Sequence, residues 1–311
     1  MSYAVLFPGQ GSQFVGMGAD LFDLHTDLLG ERSDRILGWS LRSVCLDGPE
    51  ETLTRTEFAQ PALFALSYAL WTSWVDIVAI RPSGAAGHSL GEYTALAAAG
   101  VLEYGEALRL VAMRGRLMAT AADESPSGMS ALLGVDMALA HKVVEASLTA
   151  GGSLQIANVN APGQIVVAGS VADIDWLTAN GKDLGVRRSI PLKVAGAFHS
   201  TYMASAARGL EDELNSTKYS QPGFRVWANS TAEPYELVDS AGTLVDQITS
   251  PVLFEDSLRN MWSTGLNTLV HIGPGEVTAG LARRTLPDAE VFTVSTLADL
   301  ESAGDGVMGT M

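Results

Sequence analysis

The 311-residue chain holds a single cysteine, Cys45, so no internal disulfide can brace it. Its five histidines form no Cys/His cluster and no H-E-x-x-H pair, which excludes the spacings of zinc sites; no bound metal or resident cofactor is expected. Charged residues make up 17% against 47% hydrophobic, too little charge for a disordered chain and enough apolar material for a large core. Cations are scarcest: 19 Lys+Arg face 35 Asp+Glu, and the net charge of −16 argues against nucleic acid as a partner. No uncharged apolar run is long enough for a membrane span, and "MSYAVLFPGQGSQ" lacks the basic segment and cleavable apolar stretch of a secretory signal. A cytoplasmic protein without membrane contact is expected.

Glycine, by contrast, is plentiful, with 32 residues, and two clusters of it stand out. The first follows the predicted strand "YAVLF" in "PGQGSQ". Its Gly9, Gly11 and Gly16 come with no lysine, so the spacing is a poor phosphate loop, although it lets backbone approach a ligand closely. The second is "GHSLG" over 87–91, a G-x-S-x-G frame. An apolar helix and a short buried strand are predicted upstream of it, and the alanine-rich "GEYTALAAAGVL" reads as the helix downstream. Strand, tight turn and helix are the setting in which a serine hydroxyl stands exposed above a sheet, next to backbone N–H groups that can hold an oxyanion. Ser89 is therefore a candidate nucleophile. The competing reading is an ordinary glycine-lined turn around a buried serine.

Residues 19–80 read as mainly helical, and Leu108, Val111 and Met118 recur at helical intervals downstream of the serine. From about Gly128 to Val194 the pattern changes to β-α-β-β-α-β, the order of a ferredoxin-like unit with a four-stranded sheet. Strands and helices of the first kind then return in "FRVWANST", "PVLFEDSLRNMWSTG" and "TLVHIGPGEVTAGLARR", ahead of a loosely composed tail after Leu300. The expected fold is α/β: an α/β-hydrolase-like large part over 1–127 and 195–311, with a ferredoxin-like insertion over 128–194.

A serine at neutral pH needs a base. His25 and His141 sit in polar surroundings, and His88 is adjacent to Ser89 on a tight turn and so packs beneath the loop. His199 in "GAFHS" and His271 in "LVHIGPG" remain. His199 is favoured because it stands where the insertion returns to the large part, and insertions border clefts.

The motifs "LFPGQGSQ", "TEFAQPALFA", "GHSLGEYTALAAAG", "MRGRLM", "IANVNAPGQIVVAG", "GAFHS" and "IGPGEVTAGL" occur in the order and approximate spacing of malonyl-CoA:acyl carrier protein transacylases and polyketide synthase acyltransferase domains. The chain resembles that family over nearly its whole length. The resemblance implies transfer of a malonyl group from malonyl-CoA to the phosphopantetheine thiol of an acyl carrier protein, through an ester on Ser89 with His199 as general base. It implies an oxyanion hole from the backbone N–H groups of Gln10 and Leu90. Arg114 corresponds to the arginine that grips the malonyl carboxylate, and Gln60 to a glutamine lining the same pocket. Phe198, just before the histidine, matches malonyl users rather than branched-malonyl users. Leu253 stands where relatives often carry a polar residue, and its backbone carbonyl is the one implied to orient the histidine.

Two other functions fit the same residues less well. An acyl hydrolase would have no use for a carboxylate anchor at Arg114, and a non-catalytic carrier-protein docking module would not need Ser89, His199 and Gln10 together. Carrier proteins are acidic, so a chain of −16 needs a local basic surface to receive one. Arg187 and Arg188, flanked by Lys182 and Lys193 at the end of the insertion, are the favoured docking surface. Arg283 and Arg284 are the alternative.

Overall fold

The computed structural model describes residues 2–310. Its strands are β1 (Tyr3–Phe7), β2 (Gly84–Gly87), β3 (Ser127–Leu133), β4 (Gln155–Ala161), β5 (Gln164–Ser170), β6 (Arg188–Pro191), β7 (Arg225–Trp227), β8 (Val252–Leu253), β9 (Thr268–Ile272) and β10 (Glu290–Val294). They form two five-stranded sheets in a mixed α/β fold.

The first sheet has the order β10-β9-β1-β2-β7, and its pairings are all parallel. Parallel strands need crossovers, and helices supply them here. The longest, Thr56–Ile77, is buried on most of its surface, in keeping with its continuous run of Ala, Leu, Phe and Trp. It packs against the helix Tyr104–Glu124, where Leu108, Val111 and Met118 are all buried as their spacing predicts. Because β1, β2, β7 and β9 run the same way, the loops after their carboxyl ends gather at one edge of the sheet. That edge is where open parallel sheets bind ligands.

The second sheet, β6-β3-β5-β4-β8, is built mostly from the middle of the chain. Pairs β3/β5, β3/β6 and β4/β5 are antiparallel. Helices Met137–Thr149 and Val171–Asn180 complete the predicted β-α-β-β-α-β order. The sheet has one strand more than the four expected, because β8, arriving from the later part of the chain, pairs in parallel with β4 through Asn158–Val252 and Val159–Leu253. The tail also differs from expectation. Asp299–Gly309 is a helix that buries Leu300, Ala303 and Val307, an apolar spacing hidden among Gly, Asp and Ser. No helix is long and apolar enough to cross a membrane among the described residues.

Candidate active site

Ser89 lies two residues beyond β2 and leads into the helix Gly91–Ala98, so strand, turn and helix meet around the G-x-S-x-G frame, although the strand is Gly84–Gly87 and not the apolar stretch before it. The glycines are there for space. A Cβ on Gly91 would lie 2.5 Å from the Phe7 carbonyl oxygen and 2.7 Å from that of Pro8, and one on Gly87 would collide with the Gly91 backbone. In the loop after β1, a Cβ on Gly9 would strike the His88 carbonyl. The two glycine clusters are thus packed on each other, which brings the Gln10 backbone beside the serine turn. Ser89 holds φ 53° and His199 φ 57°; only Ala232 joins them at positive φ among the described non-glycine residues. A left-handed backbone costs such residues about 1–3 kcal/mol, so the surrounding packing must hold it in place.

The Ser89 Oγ–H donates to His199 Nε2 at 2.8 Å, and His199 Nδ1–H donates to the Gln247 carbonyl at 2.9 Å. This bond fixes the tautomer that leaves Nε2 as the acceptor. Burial, and then the nearby positive charge of Arg114, push the His199 pKa from 6.5 down to about 3, so the ring is neutral at physiological pH. A neutral imidazole with a free Nε2 lone pair can take the serine proton.

The orienting carbonyl was expected at Leu253, and the structure corrects this. The Leu253 N–H donates to the Asn229 carbonyl at 2.8 Å and its own carbonyl accepts from Ser257 Oγ at 2.9 Å, so β8 and the following helix use both groups. Gln247 lies in the last turn of the helix Ser240–Thr249, where carbonyls run out of intrahelical partners, and its carbonyl turns to the imidazole instead. Leu253 itself is half-buried in the sheet edge.

Arg114 comes from the helix Tyr104–Glu124 and is fully buried. Its Nη1 donates to Gln60 Oε1 at 2.7 Å, and its Nη2 donates to Gln247 Oε1 at 3.0 Å and to Ser89 Oγ at 3.1 Å. Its Nε is buried without a partner among the described residues. The guanidinium also sits 5.7 Å from the Tyr93 ring centre. Serine, histidine, arginine and Gln60 thus converge, while Phe198 is buried immediately before the histidine. Leu90 is the residue before the first turn of the helix Gly91–Ala98, and Gln10 is half-buried, its side chain donating to Thr56 Oγ1 at 3.3 Å. An apolar groove of about 490 Å³, lined by Val144, Leu148, Leu154 and Ile156, opens beside His199.

The other histidines are accounted for elsewhere. His271 ends β9 as predicted, but it is buried with Nδ1 on Thr278 Oγ1 at 2.5 Å and Nε2 on the Gly273 carbonyl at 3.0 Å. His88 packs beneath the turn, with Nε2 2.8 Å from Asn160 Oδ1. His141 is exposed, and His25 is half-buried against Ser73 rather than exposed. Arg187 and Arg188 are exposed and take part in none of the ion pairs of the described residues. Arg283 is tied to β10 through the Val291 carbonyl and Thr293, and Arg284 to Gln164.

Sequence reasoning missed three residues. Asn229, just beyond β7, accepts from the Ser89 N–H at 2.8 Å and donates to the Gly87 carbonyl at 2.7 Å, clamping the serine turn from both sides. Gln247 and Glu92 lie beneath it. A polar residue at the carboxyl end of a strand was the available signal for Asn229. Which strand flanks β2 is not legible in the chain.

Among known proteins, the chain is similar to the malonyl CoA-acyl carrier protein transacylase of Bacillus subtilis strain 168, at 37% identity over 303 residues, covering 96% of this chain and 95% of that one. It is 39% identical over 287 residues to the polyketide biosynthesis malonyl CoA-acyl carrier protein transacylase BaeC of Bacillus velezensis, covering 92% and 97%. A crystal structure of the malonyl CoA-acyl carrier protein transacylase from Clostridium perfringens superposes with a TM-score of 0.93 at 32% identity, covering 100% of this chain and 98% of that one. A complex of a type II PKS acyl-carrier protein with its malonyl-transacylase contains a chain that matches with a TM-score of 0.93 at 33% identity, covering 98% and 100%. The acyl transferase domain model matches residues 5–305, and by that span and these identities the chain belongs to the acyl transferase domain family.

Proposed function

We propose that the protein transfers a malonyl group from malonyl-CoA to the phosphopantetheine thiol of an acyl carrier protein, in fatty acid or polyketide synthesis. The observation that carries this reading is Ser89 Oγ standing 2.8 Å from a neutral His199 Nε2 and 3.1 Å from the buried Arg114 guanidinium. A nucleophile with a base and a fixed cation each one hydrogen bond away suits an acyl group that carries a carboxylate.

In the first half-reaction Ser89 Oγ attacks the thioester carbonyl as its proton passes to His199 Nε2. The Leu90 and Gln10 backbone N–H groups take the oxyanion. Collapse breaks the C–S bond, and the departing thiolate takes the proton from His199, leaving malonyl as an ester on Ser89 and free CoA. The second half-reaction runs the same steps in reverse with the carrier thiol as nucleophile. Arg114 pairs with the malonyl carboxylate, Gln60 holds the guanidinium from the other side, and the Phe198 ring limits branching at the α-carbon.

The sheet order supports the finer fold reading too. The strands within 127–191 run in space as fourth, first, third and second, the order of a ferredoxin-like unit, inserted at about 128–194 into an α/β-hydrolase-like part over 1–127 and 195–311. The carrier docks on the Arg187 and Arg188 edge. β6 pairs with β3 so that Arg188 faces Leu133, six residues or about 20 Å of strand from Ser127, whose hydroxyl accepts from the Ala197 N–H beside the dyad. A carrier bound there could extend its thiol to the serine on a long arm.

Intact-mass measurement after mixing with malonyl-CoA tests the reading. One malonyl mass is expected, absent in Ser89→Ala, and about a hundred- to ten-thousand-fold slower to form in His199→Ala. In Arg114→Ala, malonyl labelling should fall far more than acetyl labelling from acetyl-CoA. Labelling that survives in Ser89→Ala, or equal loss of both acyl groups in Arg114→Ala, would sink it.

A further inference from the structure

Glu92 is a carboxylate beneath the serine turn that the proposed chemistry does not use, and it is fully buried. It sits in the first turn of the helix Gly91–Ala98, three residues from the nucleophile. Its neighbours all give protons. Gln247 Nε2 donates to Oε2 at 2.6 Å, the Asn229 N–H donates to Oε2 at 3.2 Å, and the Tyr235 hydroxyl donates to Oε1. Burial pushes its pKa up to about 7, against these donors and the positive charge of Arg114. A buried carboxylate is costly even when donors surround it, so one kept next to a nucleophile calls for a task.

The Gln247 amide supplies that task. Among the described residues it is the only side chain hydrogen-bonded to both Glu92 and Arg114, with Nε2 on Glu92 and on the Ser89 carbonyl at 2.8 Å, and Oε1 on Arg114 Nη2 at 3.0 Å. Turned over, the amide would set its NH2 against the guanidinium, donor to donor, and its oxygen against the carboxylate and the Ser89 carbonyl, acceptor to acceptor. Glu92, by the shortest of these bonds and together with the Ser89 carbonyl, therefore selects one of two amide orientations, and that choice gives Arg114 an acceptor behind Ser89.

We propose that Glu92 is a positioning residue for malonyl selectivity: its carboxylate fixes the Gln247 amide so that the amide oxygen holds the Arg114 guanidinium over Ser89. This deepens the malonyl transfer proposed above and rests on it. The relay acts on the acyl carboxylate and not on the thioester, so its signature is a change in the ratio of malonyl to acetyl transfer. The histidine is oriented by the backbone carbonyl of Gln247, so any effect of a Gln247 variant on the dyad falls on both donors alike and cancels in the ratio.

Rates of self-acylation by malonyl-CoA and acetyl-CoA, each over a range of concentrations, would be compared in the parent, Glu92→Gln, Glu92→Met, Gln247→Met and the double Met variant. Loss of one hydrogen bond to a charged group predicts about a ten-fold fall in the malonyl-to-acetyl ratio for Glu92→Met and for Gln247→Met. The double variant should show no further fall, because both substitutions cut the same path. Glu92→Gln should keep the parent ratio, since its amide oxygen can accept from Gln247 while Tyr235 turns to accept from its NH2. If Glu92→Met fails to fold, Gln247→Met still decides: an unchanged ratio overturns the relay. So does an equal fall for both donors, or a double variant in which the two effects add. A parent protein with no preference for malonyl would instead defeat the functional reading itself.

Discussion

His199 and His271 are both buried and neutral, and their neighbours assign them different work. His199 offers a free Nε2 to a serine, while both nitrogens of His271 are occupied by Thr278 and the Gly273 carbonyl. Burial lowers the His271 pKa from 6.5 to about 4, so the unfolded chain takes up a proton there as pH falls through 6.5 and the folded chain does not until about 4. His271 therefore makes stability fall on acidification between those values. His199 acts in the same direction and Glu92, raised to about 7 from 4.5, in the opposite one, so the comparison must be against a variant. In urea titrations from pH 7 to pH 4, His271→Gln should lose less stability than the parent, with malonyl labelling of Ser89 retained. A parallel decline in both proteins would show that His271 is protonated in the folded state as well. The candidate site was partly legible at this scale. Ser89, His199 and Arg114 lie in local motifs, but Asn229 and Gln247 are 140 and 158 residues from Ser89 along the chain, and only the folded sheet brings them to it.

Elements were legible where side chains carry the pattern. β1 and β9, with Tyr-Ala-Val-Leu-Phe and Thr-Leu-Val-His-Ile, fall where their sequence predicts. β2 does not read as a strand at all, since Gly-Ala-Ala-Gly has almost no β preference. It is small because its surroundings are crowded: a Cβ on Gly84 would meet Trp227 at 2.7 Å and Leu266 at 2.8 Å. The predicted strand lay earlier, in residues that the helix Thr56–Ile77 and its following loop occupy instead. The same crowding gives a prediction for the serine turn. Gly91→Ala presses a methyl group on two carbonyl oxygens of the loop after β1, and neither backbone segment can move without disturbing β1 or Gln10. A loss of about 3 kcal/mol in chemical denaturation is expected, together with slower acylation. A fully stable and active alanine variant would mean that the two loops are looser than this contact implies.

Over the whole molecule, charge sets the problem of partner encounter. A chain of −16 repels an acidic carrier at long range, and low salt makes the repulsion stronger. The exposed Arg187 and Arg188, free of ion pairs among the described residues, are available to offset it locally, whereas Arg283 and Arg284 are held by contacts within the chain. Changing Arg187 and Arg188 to Glu should raise the KM for carrier protein several-fold and leave self-acylation from malonyl-CoA nearly unaltered. Equal effects on the two half-reactions, or none on transfer, would move the docking surface elsewhere.

The two-residue strand β8 bears on how such enzymes can be recombined. Its backbone closes the β4 edge of the second sheet, yet it is encoded some sixty residues beyond the last strand of that unit, between the helix that supplies Gln247 and the helix Phe254–Ser263. A graft that exchanges only the contiguous segment from β3 to β6 between two homologues would import a sheet whose outermost strand must pair with a foreign backbone. The natural cassette is therefore discontinuous. A chimaera that carries Val252 and Leu253 with their flanks keeps the native seam, but it also carries the Gln247 carbonyl bonded to His199, so the unit cannot be exchanged cleanly without taking part of the candidate site with it.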